Sequence, residues 1–201
     1  MYKPQNVKQR NIILDIDDVM VDCSGLLCQH FNTIGSQAKV EDYKEFNFPQ
    51  YHGLTLEDLT RVINEEDVFL NVSLFSGVRD AINKLIANGY GVHLVTSRGA
   101  YEDAYEKTLK FLFDSRINFD TLSVVDSTCE KKSSAYKHLI DISNEIFIID
   151  DNLDNLIDAH EHDICAVCID RPWNANCPSH FDSGNLWRFK SLPDAVDAIL
   201  K

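Results

Sequence analysis

Acidic residues follow two short aliphatic segments of the chain, and their spacing suits metal-assisted chemistry. Asp15 and Asp17 come directly after Ile12-Ile13-Leu14, and the neighbouring Asp150 and Asp151 follow a second aliphatic run. Carboxylates placed this close repel each other unless a cation binds between them. A carboxylate can also attack phosphorus, and a second one can carry a proton to or from the leaving oxygen. The two pairs therefore predict a Mg²⁺ site at which a phosphoryl group is transferred.

Hydroxyl and basic side chains near the ends of other apolar segments could hold the phosphate. Thr96 and Ser97 follow an apolar run, and hydroxyls in such a position can bind phosphoryl oxygens. The pair Lys131-Lys132 precedes a helical pattern whose register places Lys132 at the mouth of the site. Lys132 is therefore favoured over Lys131 as the phosphate lysine, and Lys131 stays open. Arg98 could also pair with a phosphate, but an exposed surface arginine is the stronger expectation at this position.

Alternating strand and helix patterns must position these residues. Five apolar segments are too short for helices and predict strands, at 11–16, 91–96, 122–125, 145–150 and 164–169. Helical periodicity lies between them, most clearly over 76–88, where Gly89 suits the position after the helix. Ser191 opens a last short helix. This alternation predicts an α/β fold with a parallel sheet, at whose carboxyl edge the acids would meet.

The segment 23–75 interrupts the alternation and is far longer than an ordinary crossover loop. Thr55 followed by Asp58 indicates a helix N-terminus, and no convincing strand pattern is present. The segment also carries four aromatic residues, expected on an inner surface: Tyr43, Phe46, Phe48 and Tyr51. The sequence therefore predicts a doubly wound parallel core formed by 1–22 and 76–201, with a small helical cap over 23–75 inserted after the first strand.

The composition narrows the class of protein. The chain has 201 residues, of which 44% are hydrophobic, and a formal net charge of −13, which disfavours binding to a nucleic acid duplex. No apolar run approaches the about 20 residues that span a bilayer. The start of the chain lacks the apolar stretch of a secretory signal. We therefore expect a cytoplasmic protein that does not bind membranes, with its six cysteines as free thiols.

Four short motifs resemble, in sequence order and over nearly the whole chain, the four motifs of the haloacid dehalogenase superfamily. They are Asp15-x-Asp17, Thr96, Lys132 and Asp150-Asp151. Longer strings are similar to the 5′(3′)-deoxyribonucleotidase family and its microbial relatives, namely Asp-Ile-Asp-Asp-Val-Met-Val-Asp, Val-Thr-Ser-Arg, Ile-Asp-Asp-Asn and Asp-Arg-Pro-Trp-Asn. The resemblance implies a haloacid dehalogenase-like Rossmannoid core with the strand order fifth, fourth, first, second, third.

The sequence departs from the nucleotidase pattern at three positions. Asp18 stands where Gly is common, Cys23 where an aromatic residue is common, and Arg98 where Pro is common. These departures concern the substrate rather than the core chemistry.

The resemblance also implies catalytic roles. Asp15 would be the nucleophile that forms an aspartyl-phosphate, and Asp17 would act first as general acid and then as base. Thr96, Ser97 and Lys132 would bind the phosphate of the substrate.

The metal ligands follow from the same resemblance. Asp15 and Asp151 would bind Mg²⁺ through their carboxylates and Asp17 through its backbone carbonyl. Asp150 would be the partner that steadies this shell without binding the ion, and the reverse assignment of Asp150 and Asp151 stays open.

These implied roles predict Mg²⁺-dependent hydrolysis of a small phosphorylated substrate, with a deoxyribonucleoside monophosphate favoured. The alternatives are a phosphatase of another small phosphate ester and a catalytically idle relative that binds a phosphorylated ligand. The oligomeric state stays open, with a homodimer as one option. Trp173 is expected to border the site, whereas Trp187 either borders it or covers the edge of the sheet.

Overall fold

All the strands that the structure describes run parallel in one sheet. The structure is a computed structural model, and it describes residues 8–176 and 186–201. The strands are β1 (Arg10–Leu14), β2 (Gly91–Thr96), β3 (Thr121–Val124), β4 (Glu145–Asp150), β5 (Cys165–Ile169) and β6 (Leu186–Phe189). Their order is β3-β2-β1-β4-β5-β6. The predicted order of the five expected strands is confirmed, and a sixth strand that was not predicted, β6, lies at the edge.

The strand register brings the acidic segments together. Leu14 on β1 pairs with Leu94 on β2 and with Ile149 on β4. The next residues along β1 and β4 are Asp15 and Asp150, and the Asp15 amide donates to the Ile149 carbonyl at 3.0 Å. The chain leaves β1 on one side towards β2 and returns on the other side as β4, so the acids lie at the point where the strand order reverses. Parallel α/β sheets bind their ligands at this point.

Helices cover both faces of the sheet. They are α1 (Cys23–Ile34), α2 (Leu56–Glu65), α3 (Val68–Asn71), α4 (Val78–Ala87), α5 (Ala104–Asp114), α6 (Ser133–Ile140), α7 (Leu153–His160) and α8 (Leu192–Ile199). Because side chains alternate along a strand, Ile12 and Leu14 pack with α4, α5 and α8, whereas Ile13 packs with α6 and α7. The predicted doubly wound α/β fold is confirmed.

Sequence signals for the helix ends agree with the structure. Gly89 has a φ of +84° just after α4, a backbone conformation that glycine adopts without strain. The Ser191 side chain accepts a hydrogen bond from the amide of Asp194 at the start of α8. These capping patterns act within a few residues, so they are readable from the sequence.

The long insertion is helical, as predicted. Thr55 and Asp58 form a capping box at the start of α2, with reciprocal hydrogen bonds of 3.2 and 2.9 Å. Inside the insertion, His52 bonds the Ser36 carbonyl through Nδ1 and the Tyr43 hydroxyl through Nε2, both at 2.8 Å. Since a carbonyl only accepts, Nδ1 carries the proton and the Tyr43 hydroxyl donates to Nε2. The boundaries of the cap at 23 and 75 stay a prediction.

Two of the expectations from composition concern membrane-spanning segments and cysteines. Within 8–176 and 186–201, no helix has the length and apolar character needed to cross a membrane. Cys23, Cys28 and Cys129 are free thiols. Cys177 lies outside the described residues.

Candidate active site

A buried lysine joins the first and last acidic motifs at the carboxyl edge of the sheet. Lys132 immediately precedes α6 and is only 5% exposed. Its ammonium donates to Asp15 Oδ1 at 2.6 Å and to Asp150 Oδ2 at 2.9 Å. Lys131 instead points outward and pairs with Asp158 at 2.6 Å. Of the two lysines left open by the sequence, Lys132 is therefore the one that contacts the expected nucleophile.

Burial shifts the protonation of this group. It raises the pKa of Asp15 to about 7, in spite of the opposing effect of Lys132, and the nearby Asp150 and Asp17 add to the rise. For Lys132, burial would lower the pKa, but attraction to Asp15 and Asp150 outweighs it and the pKa is raised. The lysine is thus held as a cation beside an acid that is reluctant to ionise without further positive charge.

Three buried carboxylates converge near this lysine. Asp15, Asp150 and Asp151 each offer an oxygen, and these three atoms lie within 4.8 Å of one another. Burial and the repulsion of Asp150 and Asp15 raise the pKa of Asp151 well above its usual value. A divalent cation would relieve this repulsion, and carboxylate oxygens are the ligands that Mg²⁺ prefers. The residues present therefore fit the predicted metal.

The two acids of the last motif have different surroundings. Asp150 accepts hydrogen bonds from the Asn152 amide at 2.8 Å and the Asn155 side chain at 3.1 Å, in addition to Lys132. Asp151 Oδ2 accepts one from Trp173 Nε1 at 2.7 Å. Asp150 is thus the more heavily hydrogen-bonded of the two, an arrangement in keeping with Asp151 as ligand and Asp150 as its support.

The expectation that Arg98 is an exposed surface residue is wrong. Its guanidinium is buried and binds both carboxylate oxygens of Asp17, at 2.7 and 2.8 Å. It also donates to Thr108 Oγ1 at 2.9 Å and lies 4.2 Å from the centre of the Phe69 ring. Burial alone would raise the pKa of Asp17, but Arg98 outweighs it and holds that pKa below the usual value. Asp17 is therefore a carboxylate in this structure.

Asp17 and the predicted phosphate-binding residues Thr96 and Ser97 differ in how they are placed relative to the converging acids. The Asp17 carboxylate is not one of the three converging acids, so an Asp17 metal contact would have to come from its backbone carbonyl, as predicted. Thr96 is fully buried and its hydroxyl donates to Asp17 Oδ2 at 3.3 Å. Ser97 lines the adjoining cavity. The roles of Thr96 and Ser97 in binding phosphate stay predictions.

Asp18 shows why glycine suits its position. Its φ is +56°, in the left-handed region that glycine and, less readily, Asp and Asn adopt. Its carboxylate accepts hydrogen bonds from the Ser24 amide and hydroxyl, at 3.0 and 2.7 Å. Burial outweighs these bonds and raises the pKa of Asp18 to about 7.

A cavity of about 820 Å³ opens over these residues. On the side of the sheet its lining is polar and includes Asp15, Asp17, Ser97, Lys132 and Asp151. On the side of the insertion the lining is apolar and includes Leu27, Phe46, Leu59, Ile63 and Phe69. A third part of the lining, near α6 and α7, is polar and includes Glu130, Asn155 and Asp158. The apolar wall therefore lies on the side of the insertion, and the polar lining lies on the sides of the sheet and of α6 and α7.

The two tryptophans differ in location. Trp173 donates to Asp151 and packs against Phe48 and Phe46 of the insertion, with ring centres 4.8 and 5.6 Å apart. Trp187 lies on the edge strand β6, where its ring packs against Phe147. Trp173 therefore borders the site, and Trp187 covers the edge of the sheet.

Two contacts in the site were not foreseen from the sequence. The hydrogen bonds from Arg98 to Asp17 could have been predicted from one sequence feature only, the position of Arg98 just after the end of a strand. For the bond from Trp173 to Asp151, the only such feature was the location of Trp173 in a late loop. In both cases the partner is distant in sequence, 81 residues for Arg98 and 22 for Trp173.

The fold is shared with solved structures of haloacid dehalogenase-like proteins. A dehalogenase is 15% identical with a TM-score of 0.64, and the match covers 96% of this chain and 97% of that one. A haloacid dehalogenase-like hydrolase from Streptococcus pneumoniae is 14% identical with a TM-score of 0.60, covering 96% and 99%. The D,D-heptose 1,7-bisphosphate phosphatase from B. bronchiseptica, complexed with magnesium and phosphate, is 14% identical with a TM-score of 0.57, covering 95% and 98%.

No protein-family model and no curated protein sequence matches the chain. At identities of 14–15% a structural likeness establishes the fold alone. The chain therefore has the haloacid dehalogenase-like fold, which confirms the fold that the sequence resemblance implied. The closer similarity to deoxyribonucleotidases stays a prediction.

Proposed function

We propose that this protein is a Mg²⁺-dependent phosphomonoester hydrolase that works through an aspartyl-phosphate on Asp15. The observation that supports this most directly is the placement of Asp15, which lies beside a buried lysine cation and two further buried carboxylates and lines the cavity. A nucleophile, a cation for the phosphate and ligands for a metal are thus within reach of one substrate.

In the first step, a carboxylate oxygen of Asp15 attacks phosphorus and the bond from phosphorus to the alcohol oxygen breaks. Lys132 stabilises negative charge on the phosphoryl oxygens through its ammonium. Mg²⁺, when bound by Asp15 and Asp151, would offset further charge on the same oxygens. The leaving oxygen takes a proton from Asp17, and the product alcohol departs.

In the second step, water cleaves the acyl-phosphate on Asp15. Asp17 takes a proton from the water as its oxygen attacks phosphorus, which regenerates Asp15 and releases inorganic phosphate. The Asp17 carboxylate held by Arg98 is in the ionised state that this step needs. The first step needs the protonated form, so the proton must reach Asp17 when the substrate is bound.

For the substrate, we propose a deoxyribonucleoside monophosphate first and another small phosphate ester second. The nucleotide proposal draws on the sequence similarity to deoxyribonucleotidases and on a cavity whose lining is polar on the side of the sheet and apolar, with aromatic residues, on the side of the insertion. The idle, ligand-binding alternative is disfavoured, because Asp15, Asp17, Lys132 and Asp151 are all present and a binding protein needs no nucleophile beside an acid.

Phosphate release from p-nitrophenyl phosphate, with Mg²⁺ and with a chelator, tests the reaction. We expect turnover only with the metal, and loss of at least about 10³-fold in Asp15→Asn, since the amide cannot attack phosphorus. Asp114→Asn is the matched control, because Asp114 is an exposed acid at the end of α5. Activity of Asp15→Asn close to that of the wild type would rule out Asp15 as the nucleophile.

A thermal unfolding series separates the enzyme from the idle relative. If no ester is hydrolysed while inorganic phosphate raises the unfolding temperature, the protein binds phosphate without turning over esters. If turnover is present, rates with a panel of nucleoside monophosphates and sugar phosphates identify the substrate class.

A further inference from the structure

The wall of the cavity contributed by the insertion has a uniform chemistry. The structure describes all of 23–75. Seven residues of this segment line the cavity, six with hydrocarbon side chains and one with a thiol: Cys23, Leu27, Phe46, Phe48, Leu59, Ile63 and Phe69. The same segment is rich in acidic and basic residues, yet none of them lines the cavity. The charged residues of the insertion thus lie away from the cavity, and its contribution to the lining is apolar apart from the thiol of Cys23.

The apolar wall is continuous with the phosphate end of the site. Phe69 stacks on the guanidinium of Arg98, which holds Asp17. Leu59 and Ile63 lie one turn apart on α2 and share a face. Phe46 is 44% exposed and packs one side of its ring on Trp173. An ester group that extends from a phosphate near Lys132 towards the insertion meets this wall, whereas one that extends towards α7 meets polar residues such as Asp154, Asn155 and Asp158.

Such a wall discriminates by burial and not by hydrogen bonding. A flat apolar group gains by leaving water for a surface of carbon atoms. A hydroxyl-rich alcohol loses hydrogen bonds to water there, because the wall contains no strong donor or acceptor to replace them.

We infer that the insertion selects phosphate monoesters whose alcohol carries a flat apolar group, such as an aromatic ring, and disfavours esters of hydroxyl-rich alcohols. Because this selection rests on the proposed hydrolysis, it refines that function by naming the class of alcohol. A nucleoside monophosphate meets the requirement through its base, and a bare sugar phosphate does not. The sugar of a nucleotide is then dispensable, and an aromatic ring alone is sufficient.

Benzyl phosphate and ribose 5-phosphate test the selection in the wild-type protein with Mg²⁺. Both are esters of primary alcohols, so the chemical step is matched and the difference reports on the rest of the alcohol. We expect kcat/KM for benzyl phosphate to be higher by about 10- to 100-fold, mainly through a lower KM. A ratio of one or less would overturn the inference.

Variants in the wall locate the selectivity. Leu59→Asn is expected to lower the ratio by about fivefold or more, because it puts an amide on the apolar face. Leu56→Asn is the matched control, since Leu56 is on the same helix and 62% exposed, and it should leave the ratio unchanged. Phe46→Ser is a second wall variant, tolerable because Phe46 is partly exposed, and should act like Leu59→Asn. If both wall variants are folded and keep the wild-type ratio, the wall does not select the substrate.

The failure of the inference can be told apart from the failure of the proposed function. If p-nitrophenyl phosphate is hydrolysed and the benzyl and ribose esters react equally well, only the selection is wrong. If none of the three esters is hydrolysed with Mg²⁺ present, the proposed hydrolase function is wrong and the selection is wrong with it.

Discussion

At the scale of single residues, Arg98 shows how a charged side chain becomes part of a core. Burial of a guanidinium is unfavourable unless its charge and its donors are matched. Here Asp17 accepts two parallel hydrogen bonds, Thr108 accepts a third and the face of Phe69 covers the ion. Bidentate bonds of this kind fix direction as well as charge. Arg98 thus holds the Asp17 carboxylate in one orientation.

Replacement of Arg98 is therefore expected to affect turnover more than binding. We predict that Arg98→Met lowers kcat by about 10²-fold with little change in KM, because Asp17 loses its orientation. The free energy of unfolding should fall by about 1–3 kcal/mol, a modest loss because the Asp17 side chain is 28% exposed. Arg98→Lys should recover part of kcat.

The control is Arg61→Met, which breaks a surface pair with Asp58 and should change neither quantity appreciably. A steady-state analysis with p-nitrophenyl phosphate and a urea unfolding curve measure both effects. Unchanged kcat in Arg98→Met would show that Arg98 has a purely structural role.

Asp18 gives a prediction on pH. Its pKa is about 7 in the folded protein and about 3.9 in an unfolded chain. Between these values the folded state binds more protons, so the contribution of Asp18 to stability falls as the pH rises from about 4 to about 7. Above pH 7 Asp18 is ionised in the folded protein, and the full cost of burying its charge lowers the free energy of unfolding.

Asp18→Asn removes this penalty and keeps an oxygen for Ser24, and Asn tolerates a positive φ. We predict that the variant is about as stable as the wild type at pH 4.5 and more stable by more than about 1 kcal/mol at pH 8, both in a chelator. Unfolding in urea at the two pH values measures this. A gain that is equal at both values would contradict the assignment of the raised pKa to Asp18.

At the scale of elements, the loop after β5 holds both acidic motifs in place through hydrogen bonds to their backbone carbonyls. Arg171 Nε donates to the Asp18 carbonyl at 2.7 Å, and Asn174 Nδ2 donates to the carbonyls of Asp151 and Ile169, each at 2.8 Å. Trp173 joins the same loop to the insertion and to the Asp151 carboxylate. This loop therefore links both acidic motifs to the aromatic cluster of the insertion.

Trp173→Phe should separate the hydrogen bond from the packing. The ring still fills the space beside Phe48, but Asp151 Oδ2 loses its donor. Since partners that orient a metal ligand contribute to affinity, we predict that the half-saturating Mg²⁺ concentration rises about tenfold. The rise in unfolding temperature with Mg²⁺ measures it without reference to activity. Trp187→Phe at the edge of the sheet is the control, and an equal shift in both variants would refute a specific role for Trp173.

At the scale of the whole molecule, the net charge of −13 favours cations and opposes anions. The buried acids at the site add to this background, and Lys132 and Arg98 offset it only locally. An anionic substrate is repelled by this negative charge, so it needs the bound metal ion in order to enter the site as well as in order to react. The oligomeric state, for which the sequence left a homodimer as one option, stays open and sedimentation equilibrium would test it. The cytoplasmic location stays a prediction.

Salt should weaken the binding of Mg²⁺, because it screens the attraction of the whole protein for a cation. We predict that the half-saturating Mg²⁺ concentration rises several-fold between about 20 mM and about 200 mM KCl. Titrations followed by thermal unfolding measure it, with sucrose of equal osmolality as the control. If the half-saturating Mg²⁺ concentration does not change with KCl, only the carboxylates at the site, and not the net charge of the protein, attract the ion.

The sequence by itself determined the elements and the edge of the sheet at which the acids meet. The bounds of β2 and β4 were predicted without error and those of β1, β3 and β5 nearly so, and their alternation with helices predicted a parallel sheet. These features depend on short aliphatic runs, helical periodicity and capping residues, which act over a few positions. The order of the strands came from the family resemblance instead. The acids Asp15 and Asp150 then meet because β1 and β4 are neighbours.

Only the tertiary structure decided which polar groups contact one another. It placed Lys132, and not Lys131, on Asp15 across 117 residues, and it buried Arg98 against Asp17 across 81. It also added β6, whose four residues carry too short a pattern to be recognised. Burial and pairing of charges depend on the partners that folding brings near. The local helix register favoured Lys132 but left Lys131 open, and no local pattern indicated the burial of Arg98.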